Sequence, residues 1–170
     1  DVIAAYRAGI ENAVASMGTA LTSEHVEHLK RFTKKVIVTY DGDKAGQAAT
    51  AKALDELKDL PVQVVQIPDA MDPDEYLQKN SPQDLAYLLT NTRISPVEFY
   101  IHHFRPENSE NLQAQIEFIE KIAPLIAKEP SITAQNSYIH ILTDHLPSFD
   151  YQQVEHIVNE SRVRQRKEKV

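Results

Sequence analysis

The apolar pattern of this 170-residue chain changes character once, and that change constrains the fold more than any other feature. Over residues 1–90, short runs rich in β-branched side chains stand at Ala13–Ala15, Val36–Tyr40 and Val62–Ile67, the composition of buried strands. A helical pattern precedes each of them. Asp1–Gly9 reads as a helix closed by Gly9 in a left-handed cap, and Thr22–Phe32 sets Val26 and Leu29 on one face behind a threonine cap with Glu24 close by. Lys44–Lys58 is rich in alanine and carries Leu54 and Leu57. Strands alternating with helices pair in parallel through right-handed crossovers, so this half predicts an open α/β sheet with flanking helices. Three strands are few for a parallel sheet, and the opening helix should follow a strand that the chain lacks. The sheet is therefore expected to be partial.

After Asn80 the pattern is helical only, through Gln83–Thr90, Pro96–Phe104, Glu110–Glu129, Ile132–His145 and Tyr151–Arg166. Leu112, Ile116, Ile119, Ala123 and Ile126 form a stripe at helical spacing that predicts core, and Pro124 predicts a kink or a break. The boundary is placed in Asn91–Pro96, giving an α/β domain over residues 1–90 and an all-α subdomain over residues 91–170.

Composition excludes several classes. With 42% hydrophobic and 25% charged residues the chain is that of a soluble globular protein, and no run approaches the ~20 apolar residues of a membrane span. Without cysteine there is neither a disulfide framework nor a thiolate zinc site, a usage that fits a reducing cytosol. The chain opens on Asp1 with no signal-like segment and is expected to be a fragment. The net charge of −7 argues against a general nucleic-acid coat, yet its distribution is uneven. Residues 161–170 hold five basic side chains (Arg162, Arg164, Arg166, Lys167 and Lys169) against one acidic, and read as a solvated helix end or linker, with nucleic-acid contact as the alternative.

Ligands of open parallel sheets bind beyond the carboxyl ends of the strands, so the loops there carry the chemistry. They are Ser16-Met17-Gly18-Thr19, Asp41-Gly42-Asp43-Lys44-Ala45-Gly46, and Asp69-Ala70-Met71-Asp72-Pro73-Asp74-Glu75. In the second, the strand delivers Asp41 to the sheet edge, Gly42 permits a sharp turn and Asp43 stands where a helix cap would stand. Two carboxylates so placed can share a hard cation such as Mg²⁺. The bland alternative makes Asp43 a cap and Asp41 a turn residue. Asp72 and Asp74 leave the neighbouring unit at the same edge, with Pro73 stiffening the step between them. Carboxylates gathered in this way repel unless a cation joins them. His25 with His28, and His102 with His103, lack metal-ligand spacing and read as surface or partly buried residues. No G-x-S-x-G and no phosphate-binding glycine loop of the Walker type is present.

The string Ala13–Thr22, followed by Tyr40-Asp41-Gly42-Asp43-Lys44-Ala45-Gly46 and then Asp72-Pro73-Asp74-Glu75, resembles the Toprim domain of bacterial replicative primases of the DnaG type. The resemblance covers residues 1 to about 80 in order, and the helical remainder resembles the subdomain that closes the primase core. It implies a nucleotidyltransferase, an RNA polymerase that joins ribonucleoside triphosphates into a short RNA primer on a single-stranded DNA template. Mg²⁺ or Mn²⁺ would be held by Asp41, Asp43 and Asp72 as catalytic ligands, with Asp74 beside them. Asp1, Lys44, Gly18 and Thr19 become candidate nucleotide or outer contacts. The family's motif sets a Glu four residues before its Asp, and nothing precedes Asp1 here. The zinc-ribbon domain that holds zinc, the basic half of the core and the domain that meets the replicative helicase are also outside the chain. The implied parent is a cytoplasmic enzyme of the replication fork, and this fragment alone is expected to be inactive. The rivals are another Toprim enzyme (a topoisomerase or nuclease), a haloacid-dehalogenase-type phosphatase, which has Thr or Val where Ala45 stands, and a non-catalytic protein- or nucleic-acid-binding module.

Overall fold

A computed structural model describes residues 1–168, so Lys169 of the basic segment lies outside the described residues. The chain divides into two compact units, Asp1–Pro96 and a second that begins at Val97.

In the first unit, β1 (Val36–Asp41) and β2 (Val62–Ile67) pair in parallel, in register from Val36 opposite Val62 to Asp41 opposite Ile67. The helix between them, α3 (Lys44–Glu56), is the crossover that a parallel pair requires. The far edge of β2 is covered by Ile94, which exchanges two backbone hydrogen bonds of 2.8 Å with Val64. That bridge ties the Asn91–Pro96 segment to the sheet.

Two short helices precede β1. α1 (Val2–Arg7) ends in a Schellman motif: Gly9 at φ 84° donates to the Tyr6 carbonyl and Ile10 to the Ala5 carbonyl. α2 (Ser23–Lys30) starts from a capping box in which Thr22 Oγ1 accepts from the His25 N–H and His25 Nδ1 accepts from the Thr22 N–H. His25, rather than Glu24, is the reciprocal partner. After β2 come α4 (Pro73–Lys79) and α5 (Pro82–Asn91), both with capping boxes and a proline in the first turn. Ala4, Val65, Ile67, Met71, Leu85, Leu88 and Leu89 close one core, while Leu54 and Leu57 are buried along α3.

Two expectations about this unit fail. Ala13–Ala15 is not a strand: it pairs with no strand among the described residues, and Val14 is 76% exposed. Three residues offer too few ladder bonds to hold an extended segment without a neighbour. The helix α4 was not foreseen, although Asp72-Pro73 followed by Glu75 is a start signal in its own right.

The second unit packs α6 (Pro96–Phe104), α7 (Leu112–Ala127), α8 (Ile132–Asp144) and α9 (Tyr151–Glu168). Its core joins Ile101, Phe118, Ile119, Ile122, Ile126, Leu142, Leu146, Val154 and Val158. Ile119, Ala123 and Ile126 of α7 are buried as expected, but Leu112 is 53% exposed and Ile116 half-buried, while Gln115, Phe118 and Ile122 lie inside. Gln115 is tolerated there because its amide donates to Ser148 Oγ at 3.1 Å and accepts from the Ser148 N–H at 3.0 Å. Pro124 does not break α7. The carbonyl it leaves without an intrahelical donor belongs to Glu120, an exposed residue.

Candidate active site

β1 ends at Asp41, and the chain must leave the sheet there at close quarters. A Cβ on Gly42 would stand 2.5 Å from Gln66 Nε2 and 3.0 Å from the Ile67 carbonyl oxygen. Gly42 is thus required by close approach to β2, not by a left-handed turn. Gly46 is more tightly enclosed, since its Cβ would fall 2.3 Å from the Asp41 carbonyl oxygen. The two glycines let the start of α3 fold back on the strand end. In that position the Gly46 N–H donates to Asp43 Oδ1 at 2.6 Å, and Asp43 caps α3.

The neighbouring loop repeats the device. Asp72 Oδ1 accepts from the Glu75 N–H at 2.8 Å, Glu75 Oε2 accepts from the Asp72 N–H at 3.2 Å, and Asp72 caps α4. Asp69 and Ala70, between β2 and this cap, both have φ near +56° (56° and 55°). Two successive non-glycine residues in the left-handed region store strain, and nothing in Asp-Ala announces it.

Burial first, and then the carboxylates of Asp72, Asp43 and Glu75, push the Asp41 carboxyl above its ordinary value. The structure therefore brings four acids into one electrostatic neighbourhood at the carboxyl ends of β1 and β2. Glu75 is the member that sequence reasoning missed, though its place three residues after a capping aspartate could have signalled it. Asp74 lies exposed in the first turn of α4, outside the group that bears on Asp41. Asp1 is exposed at the start of α1 and makes no side-chain cap. Gly18 and Thr19 sit in an exposed turn with Met17 and Gly18 at positive φ, where Thr19 Oγ1 donates to the Ser16 carbonyl at 2.7 Å. Lys44 occupies the first position of α3.

Among the described residues no group of three or more His, Cys, Asp or Glu side chains is gathered closely enough to form a metal cage. The donor chemistry nevertheless fits a hard divalent cation. Mg²⁺ is usually held by one or two carboxylates with waters and substrate phosphates completing its shell. Each capping aspartate commits one oxygen to its helix and retains a second. A cation here would also relieve the repulsion felt by Asp41.

The α/β unit carries aspartates beyond the carboxyl ends of adjacent parallel strands, and its residues 1–77 match the Toprim-like family. The DNA primase of Lactococcus lactis is 54% identical over 159 residues, which cover 94% of this chain and 25% of that protein. The RNA polymerase domain of Mycobacterium tuberculosis primase DnaG superposes with a TM-score of 0.66 at 30% identity, over 84% of this chain and 47% of that one. A DnaG primase catalytic domain bound to single-stranded DNA superposes with a TM-score of 0.62 at 28% identity, over 89% of this chain and 50% of that one. The chain belongs to the bacterial DnaG-type primases, as a segment of their catalytic core. It spans about a quarter of the length of the curated relatives it matches, 25% and 24% for the first two.

Proposed function

We propose that the protein containing this chain synthesises short RNA primers from ribonucleoside triphosphates on single-stranded DNA, and that Asp41, Asp43 and Asp72, joined by Glu75, form its acidic catalytic edge. The observation that carries the reading is the crowding of carboxylates on Asp41 at the ends of two parallel strands. A bound Mg²⁺ or Mn²⁺ would supply charge neutralisation of the triphosphate and orientation of the attacking 3′-hydroxyl. The chain's own part is positioning. β1 fixes Asp41, and the two caps hold the Asp43 and Asp72 side chains in set rotamers, so the acids are arranged before a ligand arrives. Lys44, next to Asp43 at the start of α3, would be the cation to meet a phosphate. Asp74 and Asp1 are outer contacts at most, and the same holds for Gly18 and Thr19.

Residues 1–90 serve as the Toprim domain and residues 91–170 as the helical subdomain of the core. On this reading the segment described supplies one part of the polymerase site. Template contacts, zinc and the replicative helicase belong to other segments of a cytoplasmic replication enzyme. Primer synthesis on bare single-stranded template tests this in the longer protein. Asp41→Asn should reduce the rate at least about a hundredfold, the scale of losing an electrostatic contact made in the transition state. Normal primer yield from that variant would remove Asp41 from the site.

A further inference from the structure

The basic segment is not used by the carboxylate edge, and the structure separates its members. Arg164 extends toward Glu160 at 3.9 Å on the exposed side of α9. Arg162 and Arg166 instead line an open cavity of about 620 Å³. Its other walls are Ala127, Lys128, Glu129 and Pro130 at the end of α7, Ile132 and Gln135 on α8, and Gln165 on α9. All of these lie in the second unit.

The side chains around this cavity are held by one another. Gln165 Nε2 donates to the Pro124 carbonyl at 2.9 Å, fastening α9 to α7. Buried Gln135 donates to the Glu129 carbonyl and accepts from Arg162 Nη2, so the guanidinium is fixed in place by an amide instead of a carboxylate. Arg162 Nε is buried and has no hydrogen-bond partner. A guanidinium N–H withheld from both water and protein is costly. Lys128 and Arg166 add two further positive charges. The single acid, Glu129, is turned to its own loop, where Oε1 accepts from the Ser131 N–H at 3.2 Å. In a chain of net charge −7, the described residues line this cavity with three cations and one carboxylate.

We propose that the cavity bounded by α7, α8 and α9 binds a phosphate oxyanion through Arg162, with Lys128 and Arg166 at its mouth. The planar guanidinium presents parallel donors that suit tetrahedral phosphate, and a charge already anchored by Gln135 loses little freedom on binding. A free nucleotide and a nucleic-acid backbone supply the same group. The apolar surface of Ile132, 71% exposed beside the cations, offers a face for a base and favours a nucleotide over bare phosphate. The site is independent of the carboxylate edge, since it is built on different residues and needs no divalent cation.

Amide NMR of the full chain, titrated without divalent metal, tests the proposal with three probes: inorganic phosphate, ATP and an oligothymidylate. Saturable shifts at residues 128–135 and 162–166 are expected with phosphate, and at lower concentration with ATP. Stronger response to the oligothymidylate than to ATP would assign the phosphate to a nucleic-acid backbone. Arg162→Lys keeps the charge but loses the fork, and should weaken phosphate binding at least about tenfold. Exposed Lys128→Gln, which leaves the core untouched, should weaken it several-fold. No saturable shift with any probe would overturn the site, and so would shifts that both variants retain at full strength.

Discussion

At Asp43 and Asp72 the cap is visible in the geometry, and its removal has a known scale. Asp43→Ala should lower the stability of the metal-free chain by about 0.5–2 kcal/mol, because the Gly46 N–H loses its acceptor, and should also shrink the gain from Mg²⁺; a loss that is the same with and without Mg²⁺ would leave Asp43 as a helix cap alone. Asp41→Asn should behave differently. Its carboxyl is held above its ordinary value by burial and by Asp72, Asp43 and Glu75, so the charged form strains the fold. Neutralising it should leave the metal-free chain no less stable. Millimolar Mg²⁺ should raise the melting temperature of the parent chain more than K⁺ at matched ionic strength, and the increment should shrink in Asp41→Asn. Equal increments in both would show that Asp41 takes no part in cation binding. The two glycines separate in the same way. In Gly42→Ala the closest obstacle is the flexible end of Gln66, whereas in Gly46→Ala it is the Asp41 backbone oxygen. Thermal melting should rank Gly46→Ala as the more damaging, with a cost of at least about 1–3 kcal/mol.

Among the elements, α7 shows how far periodicity carries. Its stripe is expected through Leu112, Ile116, Ile119, Ala123 and Ile126, of which the last three are buried, but the helices packed on it bury Gln115, Phe118 and Ile122 in place of Leu112 and Ile116. Ile122→Ala should cost about 2–5 kcal/mol in chemical denaturation, and Leu112→Ala, at an exposed site, much less. Comparable costs would mean that the helix is rotated from the position described. What was legible had local causes. Gly9 closes α1, Thr22 opens α2, and Val36–Tyr40 with Val62–Ile67 form the parallel pair, because cap chemistry and β-branching act over a few residues. The rest depended on distant neighbours. Ala13–Ala15 has strand composition but no paired partner among the described residues, and Pro124 sits in a helix that burial on both sides of it sustains. In the site, the aspartates were legible from their order along the chain. The left-handed Asp69–Ala70 turn and the part taken by Glu75 were not, since both arise from how α4 meets the sheet.

For the whole molecule, Asp41 in the first unit and His103 and His145 in the second are shifted in opposite directions, which makes their contributions separable. In the second unit, burial first and then His102 and Arg105 push the His145 imidazole below its ordinary 6.5, with Asp144 opposing. Burial and Lys121 do the same to His103. Both rings are held neutral by the fold, while the unfolded chain takes up protons near 6.5. The unfolded state therefore binds more protons just below that value, and stability present above it is lost as pH falls through the lowered native values. Melting temperature should decline from about pH 7.5 to about pH 5.5, and His103→Asn with His145→Asn should flatten the decline. Asp41 acts in the other direction and at lower pH. Its native carboxyl holds a proton that the unfolded chain releases above 3.8, so acidification through that window favours the native state. Asp41→Asn should remove only this acidic-side gain and leave the histidine slope unchanged. A melting temperature that stays flat across the histidine window, or a slope there that changes in Asp41→Asn, would contradict the assignment of these groups to separate parts of the chain.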